Sequence, residues 1–302
     1  MSSNPQPAAS AHAVTAPAKS RAHARRIDRS DALLLMPSLL LLLAVIGVPT
    51  AFIVLSSLQP NVLLHFSGPA FDNYRYLLGR SYYIDVLGRT FAEAALTTCF
   101  AVPLGYAAAM AMRELGGRFG NLAALAVTFP ILTGPLVVAL GWLSLLPDGG
   151  PLFGPLVHAG LIAPPRLLGT QTAVVISLVQ FTLPFAMITL YTALRHIPPA
   201  LYEAAASLGA GSLRTFLRVT LPLSLPGVQT SAILTFSLAA SSYISPHYLG
   251  GAAQLTLTTL IAEFVLATYN SPLASASAIM LLLLMTVVVV LMTKAFARWI
   301  RP

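Results

Sequence analysis

RHIPPALYEAAASLGAGSLRTFLRVTLPLSLP occupies residues 195–226 and separates two long apolar segments, 171–194 and 227–249. Its residues spell a helix, a stop and a second helix. Pro198 and Pro199 suit a helix start, because proline in the first turn gives up no needed hydrogen bond. Glu203 sits early in that helix, where its charge favours the positive end of the dipole. Ala204, Ala205 and Ala206 are strong helix formers with almost no side-chain bulk, so another surface can approach closely. Gly209 is placed to end the helix in the left-handed conformation. Ser212 can cap a second short helix carrying Leu213, Arg214, Phe216, Leu217 and Arg218, which Pro222 and Pro226 are expected to close. Apolar knobs and small residues on a loop need something to bury against. Spacing alone leaves open whether that is another protein or a layer of lipid headgroups.

The segments on either side show what kind of molecule carries this loop. Of 302 residues, 57% are hydrophobic and 9% charged, with a mean hydropathy of +0.80. Ordinary soluble domains carry roughly 25% charged residues, so water is not the solvent for most of this surface. Six stretches reach the length of about 20 residues that a membrane helix needs: approximately 33–58, 86–112, 122–146, 171–194, 227–249 and 272–296. Proline recurs inside them, at Pro37, Pro49, Pro103, Pro130, Pro135 and Pro184, which membrane helices tolerate when neighbours re-satisfy the backbone. No alternating ten-residue pattern of a transmembrane β-barrel is present. The expected fold is therefore an all-α membrane protein with six transmembrane helices and the 195–226 loop on one side.

Residues 1–32 are rich in Ala, Ser, Pro and His and include Lys19, Arg21, Arg25, Arg26 and Arg29, a composition expected to stay disordered. A cleaved signal peptide competes for this region, but the apolar run reaches about residue 58, well past a signal core, and no Ala-x-Ala site closes it. A retained first helix is expected. With the amino terminus inside, thirteen basic residues fall on inner segments and three, Arg75, Arg80 and Arg166, on outer ones, with Arg89 near the outer boundary. That asymmetry places both termini in the cytoplasm. It also accounts for the net charge of +8 and pI near 10.0 without a nucleic-acid partner. On the outer side, 71–78 has the aromatic character of an interfacial anchor. Leu257, Leu260, Ile261, Phe264, Val265 and Thr268 predict a short helix with one face on the bundle.

Chemistry-bearing patterns are absent. There is no Gly-x4-Gly-Lys-Ser/Thr phosphate loop; the Gly-rich stretches 116–120 and 149–154 read as turns. No nucleophile elbow or His-Glu-x-x-His is present. His12, His23, His65, His158, His196 and His247 are scattered singly, and Cys99 is alone, so neither a metal site, a cofactor nor a disulfide is expected. The one acidic residue deep in a span is Glu93, and Arg89 at i−4 is its expected ion-pair partner. The alternative, that Glu93 couples solute movement to an ion, defines a second reading of the chain as an ion-coupled secondary transporter or channel. A membrane-embedded enzyme would need a catalytic constellation that the sequence does not contain.

The order Glu203-Ala204-Ala205, three residues, Gly209, nine residues, Val219, one residue, Leu221-Pro222, then Pro226-Gly227-Val228, resembles the Glu-Ala-Ala loop of binding-protein-dependent ABC importer permeases. The family pattern often has Ile where this chain has Val219. Similarity extends over roughly 70–295 through Asn73-Tyr74, Pro103-Leu104-Gly105-Tyr106, Gly141-Trp142, Ser245-Pro246, Leu249-Gly250-Gly251 and Asn270-Ser271-Pro272-Leu273, most of all to the spermidine/putrescine branch. The resemblance implies a type I importer half in the bacterial inner membrane, not itself an enzyme, with 195–226 acting as a coupling loop. Glu203, Ala204, Ala205 and Gly209, with Leu208 and Phe216 beside them, would dock on a cytoplasmic ABC ATPase dimer. A periplasmic solute-binding protein would deliver a small polar, polyamine-like solute, and a second permease, a copy or a paralogue, would complete the path. Gln180, Ser241, Ser242 and Tyr243 are the polar residues at membrane depth expected on that path.

Overall fold

The structure, a computed structural model, describes residues 29–61, 71–115, 117–251 and 254–300. The chain divides into two units, Met1–Thr50 and Ala51–Pro302. In the first, α1 (Arg29–Leu42) leads through a π-helical turn at Leu43–Gly47 into α2 (Val48–Ser57), whose residues from Ala51 on belong to the second unit. Most of the expected tail, up to residue 28, lies outside the described residues. The described residues are helical from Arg29, ahead of the expected onset at 33.

The second unit holds α3 (Asp72–Leu78), α4 (Ser81–Leu115), α5 (Gly117–Leu145), α6 (Gly154–His158), α7 (Gln171–Arg195), α8 (Pro199–Ser207), α9 (Ser212–Thr215), α10 (Leu221–Ala240), α11 (Leu257–Leu266) and α12 (Ser271–Ile300). Among the described residues, five helices are long and apolar enough to cross a membrane: Met36–Ser57, Ser81–Glu114, Gln171–Arg195, Ser212–Ala240 and Ser271–Arg298.

Two of the six expected spans differ from their hydropathy outlines. The segment 122–146 lies in α5, which is broken where Gly134 takes φ 72° and ψ 163°. The cause is local: the residue before a proline, here Pro135, is pushed out of the helical region, and glycine accepts a positive φ without steric cost. Gly117 and Gly120 are helical rather than part of a turn, whereas 146–153 turns as expected. The segment 227–249 is not one helix either. The helix runs unbroken from Ser212 to Ala240, so Pro222 and Pro226 lie inside it and do not separate loop from span. A π-helical turn at Phe216–Thr220, closed by the Leu221 N–H donating to the Phe216 carbonyl, widens the helix just before Pro222, which has no N–H of its own. The helix stops at Ala240, and Ser241 closes its last turn, with its hydroxyl donating to the carbonyls of Ser237 and Leu238. Pro246–Gly250 then forms a separate π-helical turn.

The bundle core is built by α4, α7 and α10 packing on one another. Small residues permit the close approach: a Cβ on Gly105 would lie 3.0 Å from that of Ala186, and one on Gly227 would lie 2.2 Å from that of Ala193. At the end remote from the 195–226 loop, Leu77, Val86, Leu257, Leu260, Phe264 and Leu273 form one apolar cluster. The expected helix at 257–268 is α11, and Leu257, Leu260 and Phe264 face the bundle, while Val265 is exposed. Beside this cluster is a buried polar knot. Asn61 donates to the side-chain carbonyls of Asn73 (3.3 Å) and Asn270 (2.8 Å), and Asn73 donates to the carbonyls of Ser57 and Gln59, both at 3.0 Å. Asn73 thus ties α3 into the fold, beyond the anchoring role expected of 71–78.

Glu93 on α4 is 2% exposed, and neither carboxylate oxygen has a hydrogen-bond partner. The expected pair with Arg89 is therefore not closed by a hydrogen bond. The side chain sits in the packed interior of the bundle.

Candidate functional site

The loop between α7 and α10 folds as its residues direct. After the last turn of α7, Pro198 caps α8 with extended geometry (φ −60°, ψ 134°) and Pro199 occupies the first turn. The far end closes in a Schellman motif: the Gly209 N–H donates to the Ala206 carbonyl at 2.9 Å, and the Ala210 N–H donates to the Ala205 carbonyl at 3.0 Å. Gly209 itself has φ 72°, so the glycine stop expected from sequence is present. Gly211 precedes α9 in extended conformation, and Ser212, expected as a cap, is the first helical residue instead.

This geometry gives α8 two faces. Glu203 and Ala204 are exposed and Leu208 is 86% exposed, an unusual position for a leucine. Ala205 is turned inward at 9% exposure. Between α8 and α9 runs a groove of about 350 Å³, lined by Leu201, Ala204, Ala205, Leu208, Arg214 and Arg218 among others. Its floor is small and apolar and its rim cationic. Phe216 does not reach it. Its half-buried ring packs edge-on against Tyr106, with centroids 5.9 Å apart at 84°.

The inner face of α8 is held by residues that local sequence reasoning did not connect. The Tyr202 ring packs in a cluster with Met112, Leu194 and Ile197. Its hydroxyl accepts from Arg113 Nη1 at 2.5 Å and from Thr220 Oγ1 at 3.4 Å. The Arg113 guanidinium also stands 4.2 Å from the ring centroid. An aromatic in the helix facing an arginine at the end of α4 was the available signal, but 89 residues separate them.

The four residues expected on a path fall in two places. Gln180 accepts a hydrogen bond from the Trp142 indole and borders an apolar cavity of about 610 Å³ that Leu96, Phe100, Leu104, Val175 and Leu183 also line. Ser241, Ser242 and Tyr243 lie on the turn beyond α10. Ser241 bonds its own helix, the Ser242 carbonyl accepts from Thr258 Oγ1 at 2.7 Å, and Tyr243 stacks on His247 with centroids 4.9 Å apart.

Residues 101–302 match the family model described as "Binding-protein-dependent transport system inner membrane component". The spermidine/putrescine transport system permease protein PotB of Haemophilus influenzae is 32% identical over 209 residues, covering 69% of this chain and 73% of that protein. PotB of Escherichia coli is 31% identical over the same length, covering 69% and 76%. A crystal structure of a bacterial alginate ABC transporter, in complex with its alginate pentasaccharide-bound periplasmic protein, superposes with a TM-score of 0.74 at 20% identity, covering 91% of this chain and 97% of the matched one. The fold is accordingly that of a type I ABC importer permease, and the family decides against an ion-coupled carrier. On its loop, its helices and these likenesses, the chain belongs to the family of inner-membrane permease subunits of binding-protein-dependent ABC importers.

Proposed function

We propose that this permease forms half of the translocation path for a small polyamine-like cation and that α8, with its groove, is the element on which a cytoplasmic ABC ATPase dimer docks. The supporting observation is the two-faced helix. A leucine standing almost free of the protein, beside small residues and a cationic rim, is costly in water and favourable against a partner with an apolar, acidic cleft. Glu203, Ala204 and Leu208 make the contact, Ala205 forms the floor beneath it, Gly209 fixes the exit angle, and Phe216 acts from behind by bracing the root of α10. A second permease, a copy or a paralogue, closes the path on the side of Gln180, and a periplasmic solute-binding protein feeds it. The bias of cations toward the loop side puts both termini and α8 in the cytoplasm. ATP binding then shifts the population of the permease pair between its open states through differential affinity.

The polyamine assignment is supported by the PotB relatives. Its test is uptake of labelled putrescine and spermidine by proteoliposomes holding the complex purified from native membranes, with ATP inside and the binding protein outside. ATP-dependent uptake is the expected result. A complex that hydrolyses ATP when its binding protein is added, yet takes up neither compound, refutes the solute assignment and leaves the docking assignment standing. A purified complex without an ATPase refutes the docking assignment.

A further inference from the structure

We propose that Tyr202 and Arg113 form a latch that couples the docking helix to the membrane bundle, with Tyr202 as the positioning residue that passes movement of α8 to α4 and α10. The inference rests on the docking assignment of α8. A helix of nine residues has no stability of its own in water, so whatever connects α8 to the bundle determines how it moves. Its covalent connections are short: 196–198 continues from α7, and Gly209–Ala210–Gly211 carries the turn that ends the helix. Neither joins α8 to α4, so contact with α4 has to come from side chains.

The connection across to α4 is made by side chains. The Tyr202 hydroxyl is a single atom that takes two donors from two membrane helices: Arg113 Nη1, at the loop end of α4, and Thr220 Oγ1, at the π-helical turn from which α10 grows. Thr220 is buried, and Arg113 is held a second time by its guanidinium over the same ring. Half-buried, charge-assisted contacts of this type are directional and stronger than solvated ones. The root of α10 is braced from behind by the Tyr106 hydroxyl, 2.7 Å from Ser224 Oγ, and by the Phe216 ring on Tyr106. A displacement of α8 is therefore delivered to α4 and α10 together, in fixed register, at Tyr202. The docking face is on the other side of the helix, so the latch and the ATPase contact are separable.

The test uses hydrogen exchange on the assembled complex, with and without ATP and vanadate. In the wild type, the change in amide protection is expected in α8 and also in the loop-side half of α4 and the start of α10. Tyr202→Phe keeps the ring, its packing and the cation over its face, and removes only the acceptor. It should leave the ATPase bound and confine the nucleotide response to α8. The response in α4 should fall about tenfold or more, the scale of losing a hydrogen bond to a charged donor. Arg113→Gln should do the same, and the double variant should be no worse than either single one. A response in α4 that survives both substitutions overturns the latch, as do additive effects in the double variant. Loss of the ATPase from both single variants also overturns it, by showing a purely structural role. A wild-type complex with no response in α8 itself would instead refute the docking assignment.

Discussion

Gly227→Ala is the substitution whose consequence follows most directly from the packing. α10 crosses α7 at this glycine, and a Cβ built there lies 2.2 Å from Ala193 Cβ and 3.7 Å from Ala193 Cα. Non-bonded carbons sit about 3.5–4.0 Å apart at their optimum, so the shortfall is about 1.3 Å or more. Neither methyl can rotate away, because an alanine Cβ has no rotamer to change. On α7 the neighbouring Leu190 and Leu194 are fully buried and leave no room for retreat. The two helices must part, at the overpacking cost of about 1–3 kcal/mol, or a fall of several degrees in unfolding midpoint for a protein of this size. Thermal unfolding of the detergent-purified chain, followed by size-exclusion fluorescence, measures it. Ala193→Gly removes the obstructing methyl, so Gly227→Ala in that background should cost little, within about 0.5 kcal/mol of Ala193→Gly alone. Gly141→Ala is the control, since a Cβ there meets nothing within 4 Å. A Gly227→Ala protein that unfolds with the wild type, or a double variant as unstable as the single one, would refute the close α7–α10 crossing.

Gly209→Val places a β-branched residue at φ 72°, at a local cost of about 1–2 kcal/mol; membrane insertion should be unchanged and recovery of the ATPase by affinity purification should fall. Asn270→Ala leaves the amide of Asn61 without its shortest acceptor and should destabilise the chain by about 1–3 kcal/mol in the same melting assay. An unchanged midpoint would mean that the knot is not held by that bond. Glu93→Met replaces a buried acid with no hydrogen-bond partner by an apolar side chain of similar size and should raise the midpoint, by an amount worth about 1–3 kcal/mol. A lowered midpoint would show that the carboxyl is held by an interaction it needs.

The parts of this fold that depend on local periodicity and chain punctuation were legible in the sequence. The span expected at 171–194 is α7 almost residue for residue, because a long apolar run leaves the backbone no alternative to satisfying itself by helix. Gly209 stops α8 as its position indicated, since that outcome depends on one residue's φ. The outlines failed where composition and hydrogen bonding part company. Hydropathy could not see that α5 breaks at Gly134, because that segment remains apolar on both sides of the break; the turn at 241–249 was signalled by Ser241, Ser242, Ser245 and Pro246, which an outline drawn to residue 249 passed over. Pro222 and Pro226 read as helix closers, yet a widened turn at Phe216–Thr220 precedes Pro222, and Pro226 lies inside α10. Pairings across the fold were invisible for a different reason. Asn61 meets Asn270 across 209 residues and Arg113 meets Tyr202 across 89, and no local pattern encodes such distances. The docking loop was therefore readable as an element, whereas what holds it to the bundle was not.

The uninterrupted run from Ser212 to Ala240 gives this chain a rod of 29 residues, about 44 Å long at 1.5 Å per residue. A rod pivoting near its root magnifies small angles: a tilt of about five degrees there carries the far tip roughly 4 Å sideways over that length. The tip ends in the serine turn that receives Thr258, in the first turn of α11. The same tilt would carry Gly227, about 22 Å from the root, roughly 2 Å sideways, more than its close crossing with Ala193 can absorb, so α7 has to travel with α10.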